Sequence, residues 1–176
     1  MNEDKEEIRK KLVSKNKNYQ KKYRKDFAQH LKGQHSRIAI LACADSRVVP
    51  EFIFGADIGD LFVVRVAGNI AVDKTVITSL EYAVENLPIQ KLIILGHTQC
   101  GAVKAAEKNA NSQNLLIKEI RKSFSLDESN HVQANLLHQL EQLPHRSDVI
   151  RKAISKGKVE LLGAIYHLQN GEVKFL

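Results

Sequence analysis

Two short stretches gather the residue types that do chemistry. Ile38-Ala-Ile-Leu-Ala-Cys43-Ala-Asp45-Ser-Arg47 passes from an apolar run straight into a thiol, a carboxylate and a guanidinium. Lys91-Leu-Ile-Ile-Leu-Gly96-His97-Thr-Gln-Cys100-Gly101 repeats the design with an imidazole and a second thiol. The spacing His97-x-x-Cys100 lets both side chains reach one ion from a single turn, with Cys43 supplied from the other stretch. Two thiolates and an imidazole suit Zn²⁺, and three protein ligands leave a fourth tetrahedral position open, which separates a catalytic zinc from a structural one. Taken singly, either cysteine reads as a small buried hydrophobe and His97 as a satisfied turn histidine. Their convergence at neighbouring strand ends favours a metal. Asp45 and Arg47 lie two apart and can point to one side of an extended segment. A plain salt bridge is one account of them; the other has Arg47 holding Asp45 ready to accept a hydrogen bond from water acidified by the ion.

Strand ends must present these side chains, and the surrounding chain predicts how. The continuous apolar character of 37–43 fits a strand covered on both faces. Val48 to Phe54 reads as a short helix with Pro50 in its first turn and Gly55 closing it, and Leu61–Val66 as a second strand ending in the turn Ala67-Gly68-Asn69. Residues 74–87 carry an apolar helical face stopped by Pro88, Leu92–Leu95 is a third strand, His97 falls in the following turn, and Cys100 opens a helix over 101–108. Residues 110–130 are polar and weakly patterned, a helical excursion or a loop. Helices follow at 131–143 and 146–156, divided near Pro144, then a strand over 159–166, a hairpin at Gln169-Asn-Gly171 and an edge strand over 173–176. The fold class is α/β: a mostly parallel central sheet of about four strands plus an antiparallel C-terminal edge strand, flanked by helices, with an N-terminal helical arm. At 176 residues the chain suits one domain, 1–176, with residues 1–33 as the arm.

The net charge of +7 is not spread over the chain. Residues 1–37 hold twelve Lys and Arg against five Asp and Glu, and the remainder balances. The basic character belongs to the arm, where Ile8, Leu12, Tyr19, Tyr23, Phe27 and Leu31 recur at helical spacing. A helix packed on a partner accounts for this better than an anionic-surface binder, because aromatics at these spacings are packing residues more often than base-stacking platforms; no nucleic-acid partner is expected. No apolar run approaches the roughly 20 residues that span a bilayer, and the first residues lack a signal-peptide core, so no membrane partner and a cytoplasmic location are expected. Two cysteines in a reducing compartment are metal ligands or reactive groups before they are a disulfide.

Cys43-Ala-Asp-Ser-Arg47, Ala67-Gly-Asn69, Ser79-Leu-Glu-Tyr-Ala-Val84 and Gly96-His-Thr-Gln-Cys-Gly-Ala102 together resemble the β-class carbonic anhydrases, from about Leu12 to the C-terminus. The resemblance implies zinc on Cys43, His97 and Cys100, with Asp45 and Arg47 as a catalytic dyad orienting a zinc-bound hydroxide. The reaction implied is reversible hydration of CO₂ to bicarbonate and a proton. Gln34 matches a glutamine that hydrogen-bonds substrate, Phe62 and Tyr82 match aromatics of the apolar pocket and dimer interface, and Gly68 falls where a backbone N–H approaches a substrate oxygen. A homodimer or a multiple of dimers is implied, with the arm embracing the neighbouring subunit. Ser36 stands where the family often has proline, and the absence of tryptophan gives no support for the bicarbonate effector pocket of one subgroup. Relatives hydrolyse CS₂ or COS on the same scaffold. A non-catalytic zinc or nucleic-acid module is the alternative of another class, and the Asp45–Arg47 pair argues against it.

Overall fold

Apolar residues on both faces make Ile38–Ala42 (β1) and Lys91–His97 (β3) the buried centre of the sheet, whereas Leu61–Arg65 (β2) is half-buried as far as Val64 and exposed at Arg65. The structure, a computed structural model, describes residues 5–24, 27–31, 33–125 and 129–176. Glu160–Tyr166 (β4) and Val173–Phe175 (β5) complete five strands in the order β2-β1-β3-β4-β5, parallel except for the β4–β5 pair. This is the predicted mixed sheet. The return into β5 turns at Gly171, whose φ of 76° suits glycine.

The chain divides into two compact units, Met1–Gln34 and His35–Leu176. In the first, Lys5–Tyr23 (α1) and Phe27–His30 (α2) carry an aromatic cluster, with Tyr19 ring centroids 4.8 Å from Tyr23 and 6.0 Å from Phe27. The predicted continuous stripe is thus carried by two helices. No residue of α1 is buried; Leu12 is 63% exposed.

In the second unit, Pro50–Ile53 (α3), Lys74–Asn86 (α4), Gly101–Lys108 (α5), Leu115–Arg121 (α6), His131–Arg146 (α7) and Asp148–Ser155 (α8) accompany the sheet. Leu41, Leu92 and Ile94 of the sheet share one core with Leu80 and Ala83 of α4, Leu136 and Leu143 of α7 and Ile150 of α8. Ile40, Ile93 and Ala164 face a second core with Val48. The weakly patterned 110–130 region contains α6, capped by Asn114 accepting from Leu116 N at 2.9 Å, while 126–128 lie outside the described residues.

Two boundaries differ from the sequence reading. Pro144 does not divide the helices; it sits inside the last turns of α7, and the break falls at Ser147, whose Oγ accepts from Ile150 N at 3.1 Å and caps α8. β3 continues through Gly96 to His97 because β4 pairs with it as far as Tyr166. α7 packs closely over this part of the sheet. A Cβ at Gly163 would lie 2.6 Å from Leu140 Cδ1, so glycine here leaves room for that leucine side chain against β4.

Candidate metal centre

The strand order reverses between β1 and β3: the chain leaves β1 for β2 on one side and returns to β3 on the other. Crevices form outside the carboxyl ends of strands at such a point. Cys43 follows the last residue of β1, His97 is the last residue of β3, and Cys100 is the N-cap of α5. Their ligand atoms all lie within 4.8 Å of one another, and the two sulfurs are 3.9 Å apart. Zn–S bonds of about 2.3 Å in a tetrahedron put two sulfurs about 3.8 Å apart, so the pair has the spacing zinc requires.

His97 is fully buried. Its Nδ1 lies 3.0 Å from the Thr98 carbonyl, and with the proton on Nδ1 that nitrogen donates there and leaves the Nε2 lone pair free. Nε2 has no hydrogen-bond partner among the described residues. A bare buried imidazole nitrogen costs free energy, and a backbone carbonyl on the opposite nitrogen is how ligating histidines are oriented. The donor set and the orphaned atom both fit zinc.

The thiols are electrostatically prepared. The hydrogen bond from Cys100, with His97 and the N–H groups of Asp45 and Gly68, holds Cys43 well below the ordinary thiol value against its burial. That same contact, with burial, pushes Cys100 up, while the N–H groups of Val103 and Ala102 pull the other way. Two thiolates at 3.9 Å repel, and a cation between them lets both ionise.

Beside the ligands, Asp45 is clamped by Arg47 through Nε at 2.9 Å, Nη2 at 2.7 Å and backbone N at 3.0 Å. The side-chain bonds from Arg47 hold the Asp45 carboxyl far below the usual carboxylate range. Its Oδ2 lies 3.9 Å from His97 Nε2, so the carboxylate borders the ligand cluster. Arg65, which sequence reasoning missed, ends β2 and donates to the Cys43 carbonyl at 3.2 Å and the Asp45 carbonyl at 2.7 Å. Nothing in the sequence separates it from an ordinary charged strand terminus.

Gly68 lies over the same thiol. Its N–H donates to Cys43 Sγ at 3.3 Å, its φ is 68°, and a Cβ there would meet Ile120 Cδ1 at 2.8 Å. Neighbouring Asn69 is buried with φ 47°, and its Nδ2 has no hydrogen-bond partner among the described residues. Phe62 and Tyr82 are not brought to the ligands within one chain. Phe62 pairs with Ala39 at the opposite end of β1 from Cys43, and its ring centroid is 6.3 Å from that of the half-exposed Tyr82. Gln34 is exposed and belongs to the N-terminal unit.

A family model described as carbonic anhydrase matches residues 38–173. A carbonic anhydrase of Synechococcus elongatus is 31% identical over 88% of this chain, and carbonic anhydrase 2 of Mycobacterium tuberculosis is 34% identical over 79% of this chain and 73% of its own length. The chain spans about 65% of the length of the cyanobacterial relatives it matches. The Coccomyxa β-carbonic anhydrase, solved with acetazolamide, superposes with a TM-score of 0.82 at 28% identity, covering 94% of this chain and 84% of that one. The matched segment runs from β1 into β5 and so contains all three of Cys43, His97 and Cys100; the chain belongs to the β-class carbonic anhydrases.

Proposed function

We propose that this chain catalyses the reversible hydration of CO₂, CO₂ + H₂O to HCO₃⁻ + H⁺, with Zn²⁺ held by Cys43, His97 and Cys100. The observation that carries the reading is the bare, fully buried Nε2 of His97 facing two thiols beside a clamped carboxylate. Bound zinc supplies a Lewis acid that makes water acidic enough to ionise near neutral pH. The residues do the rest. Held ionised by Arg47, Asp45 is acceptor-only and takes a hydrogen bond from the attacking water, aiming a lone pair at the CO₂ carbon. Arg65 fixes the carbonyls on either side of Ala44 and so limits how far Asp45 can drift.

The assembly is a homodimer or a multiple of dimers, supported by the half-buried β2 edge, by Tyr82, and by an α1 without a single buried residue. In it, Phe62, Tyr82, Gly68 and Gln34 contact substrate or shape its pocket. Two thiols that must stay reduced to bind metal suit the cytoplasm, and no helix among the described residues is long and apolar enough to cross a membrane.

Stopped-flow CO₂ hydration with parallel metal analysis tests the reading. The expected result is one zinc per chain and hydration that disappears with the metal in Cys43→Ser, His97→Ala and Cys100→Ser. Stoichiometric zinc in all three variants sinks the ligand assignment. Turnover of COS or CS₂ without CO₂ hydration replaces the substrate.

A further inference from the structure

Five buried or half-buried polar side chains from α6 and α7 converge on the turn that follows β2, and the chemistry above uses none of them. Asn135 Nδ2 donates to the Gly68 carbonyl at 2.9 Å. Gln139 Oε1 accepts from Ala71 N at 2.8 Å, and Gln139 Nε2 donates to Asn135 Oδ1 at 3.3 Å. Arg146 Nη1 donates to the Ala71 carbonyl at 2.7 Å, while its Nη2 binds Glu119 Oε1 at 2.5 Å. Glu119 is fully buried and also receives Lys122 at 2.9 Å and faces His138 Nε2 at 3.3 Å. Gly68 and Ala71 are therefore gripped at both ends of a four-residue turn. Gly68 N–H is the group that donates to the Cys43 sulfur.

We infer that Asn135 is a positioning residue for the metal centre: by holding the Gly68 carbonyl from α7 it fixes the Gly68 N–H on Cys43 Sγ. Gln139 sets the amide of Asn135, and the Glu119–Arg146 pair anchors the other end of the turn. The proposal rests on the metal reading above. An N–H···S bond lowers the energy of the sulfur lone pairs, so losing it shifts the charge-transfer band, while the loss of orientation of the Cys43 side chain outweighs any gain in donor strength and weakens binding. Asn135 sits 92 residues after Cys43 in sequence. Its effect is transmitted through one residue, because the carbonyl it grips and the N–H that donates to the sulfur belong to the two peptide units that meet at the Gly68 Cα.

Asn135→Leu keeps the number and branching of the heavy atoms, though it is bulkier, and removes the donor; Asn135→Ala is the smaller replacement for use where the leucine variant does not fold. Leu143→Ala, on the same helix with a fully buried side chain in the main core, is the destabilised comparison. Zinc release is followed with a chelator, and the thiolate-to-metal charge-transfer band is recorded on the cobalt-substituted protein. Loss of the outer partner of a metal site costs tenfold or more, so zinc affinity should fall roughly tenfold in the Asn135 variants. The cobalt band should move to lower energy in them. Leu143→Ala should unfold more easily and leave band and affinity where they are. A third measurement needs no variant: the Gly68 amide of the wild-type chain should exchange with solvent as slowly as the Leu136 amide in the middle of α7. The inference is overturned if the Asn135 variants match wild type, if Leu143→Ala moves both readouts as far, or if the Gly68 amide exchanges orders of magnitude faster than α7 does. A wild-type chain that takes up no zinc fails the metal reading instead, and the two failures are separable.

Discussion

Gly68→Ala tests the turn most directly, and its cost can be worked from the structure. With φ at 68°, an alanine enters the left-handed region at about 1–2 kcal/mol. Its Cβ would stand 2.8 Å from Ile120 Cδ1, a fully buried atom in the cluster beneath the ligands, and forcing a methyl into such packing costs about 1–3 kcal/mol. The sum, about 2–5 kcal/mol, is a large fraction of the about 5–15 kcal/mol that holds most domains, and should lower Tm by roughly 10 °C. Urea unfolding at saturating zinc measures it. The second half of the sum has its own test, because Ile120→Val removes the clashing Cδ1. Alone that change costs about 1 kcal/mol; combined with Gly68→Ala it should return about 1–3 kcal/mol relative to additivity, leaving the φ cost behind. An additive double mutant would refute the clash. A Gly68→Ala chain within about 0.5 kcal/mol of wild type would refute the turn geometry itself.

Arg47→Ala should keep about one zinc per chain while CO₂ hydration falls roughly 10²-fold or more, because Asp45 loses its orientation and not its charge; an active variant, or one inactive only for want of zinc, contradicts the clamp. Glu119→Gln breaks a buried ion pair and should cost about 3–5 kcal/mol by urea unfolding. Despite burial, which pulls the other way, Lys122 and Arg146 hold Glu119 below its ordinary carboxyl value, so its contribution is present above about pH 4.3 and lost as pH falls below it. The gap in Tm between wild type and Glu119→Gln should therefore narrow below pH 4; a gap independent of pH rules out the ion pair as its source. Sedimentation at micromolar concentration should show a dimer or a multiple of it, and a fully active monomer would remove the assembly from the function.

What the sequence disclosed follows from how local each signal is. The cluster of Cys43, His97 and Cys100 was legible because Cys43 and His97 close runs whose apolar pattern marks a buried strand, and because His97 and Cys100 share one turn. Asp45 and Arg47 were legible for the same reason: two residues of separation constrain where both side chains point. The length of β3 was not, since Gly96 resembles a strand end and only its seven-residue ladder with β4 carries the strand on to His97. Pro144 misled because α7 continues two residues beyond it despite the one bond that its nitrogen cannot donate, while the true break depends on Ser147 reaching Ile150 N. Asn135 and Gln139 left a faint trace. In α7 they fall among Val132, Leu136 and Leu143 at spacings of three and four, so polar residues occupy the face that should be buried, a pattern that calls for buried partners. Which partners they have is a matter of packing between segments some 70 residues apart, and no local pattern carries that.

The site is consequently less a property of its strand ends than of what is laid across them. Cys43 could point many ways from the end of β1; two hydrogen bonds on it, and two more that hold the turn making one of them, decide among those ways. Arg65 braces its carbonyl from β2, Gly68 N–H reaches its sulfur from the turn, and α7 holds that turn through Asn135 and Gln139. α7 in turn is seated by Leu136 and Leu143 in the main core, with Gly163 giving Leu140 room against β4. A methyl group added at Gly163 would first displace the Leu140 side chain, and it would reach the Gly68 carbonyl only as far as α7 itself had to move. The thiol, the imidazole and the carboxylate supply the chemistry, and the close packing of α7 on β3 and β4 sets the tolerance within which they can perform it.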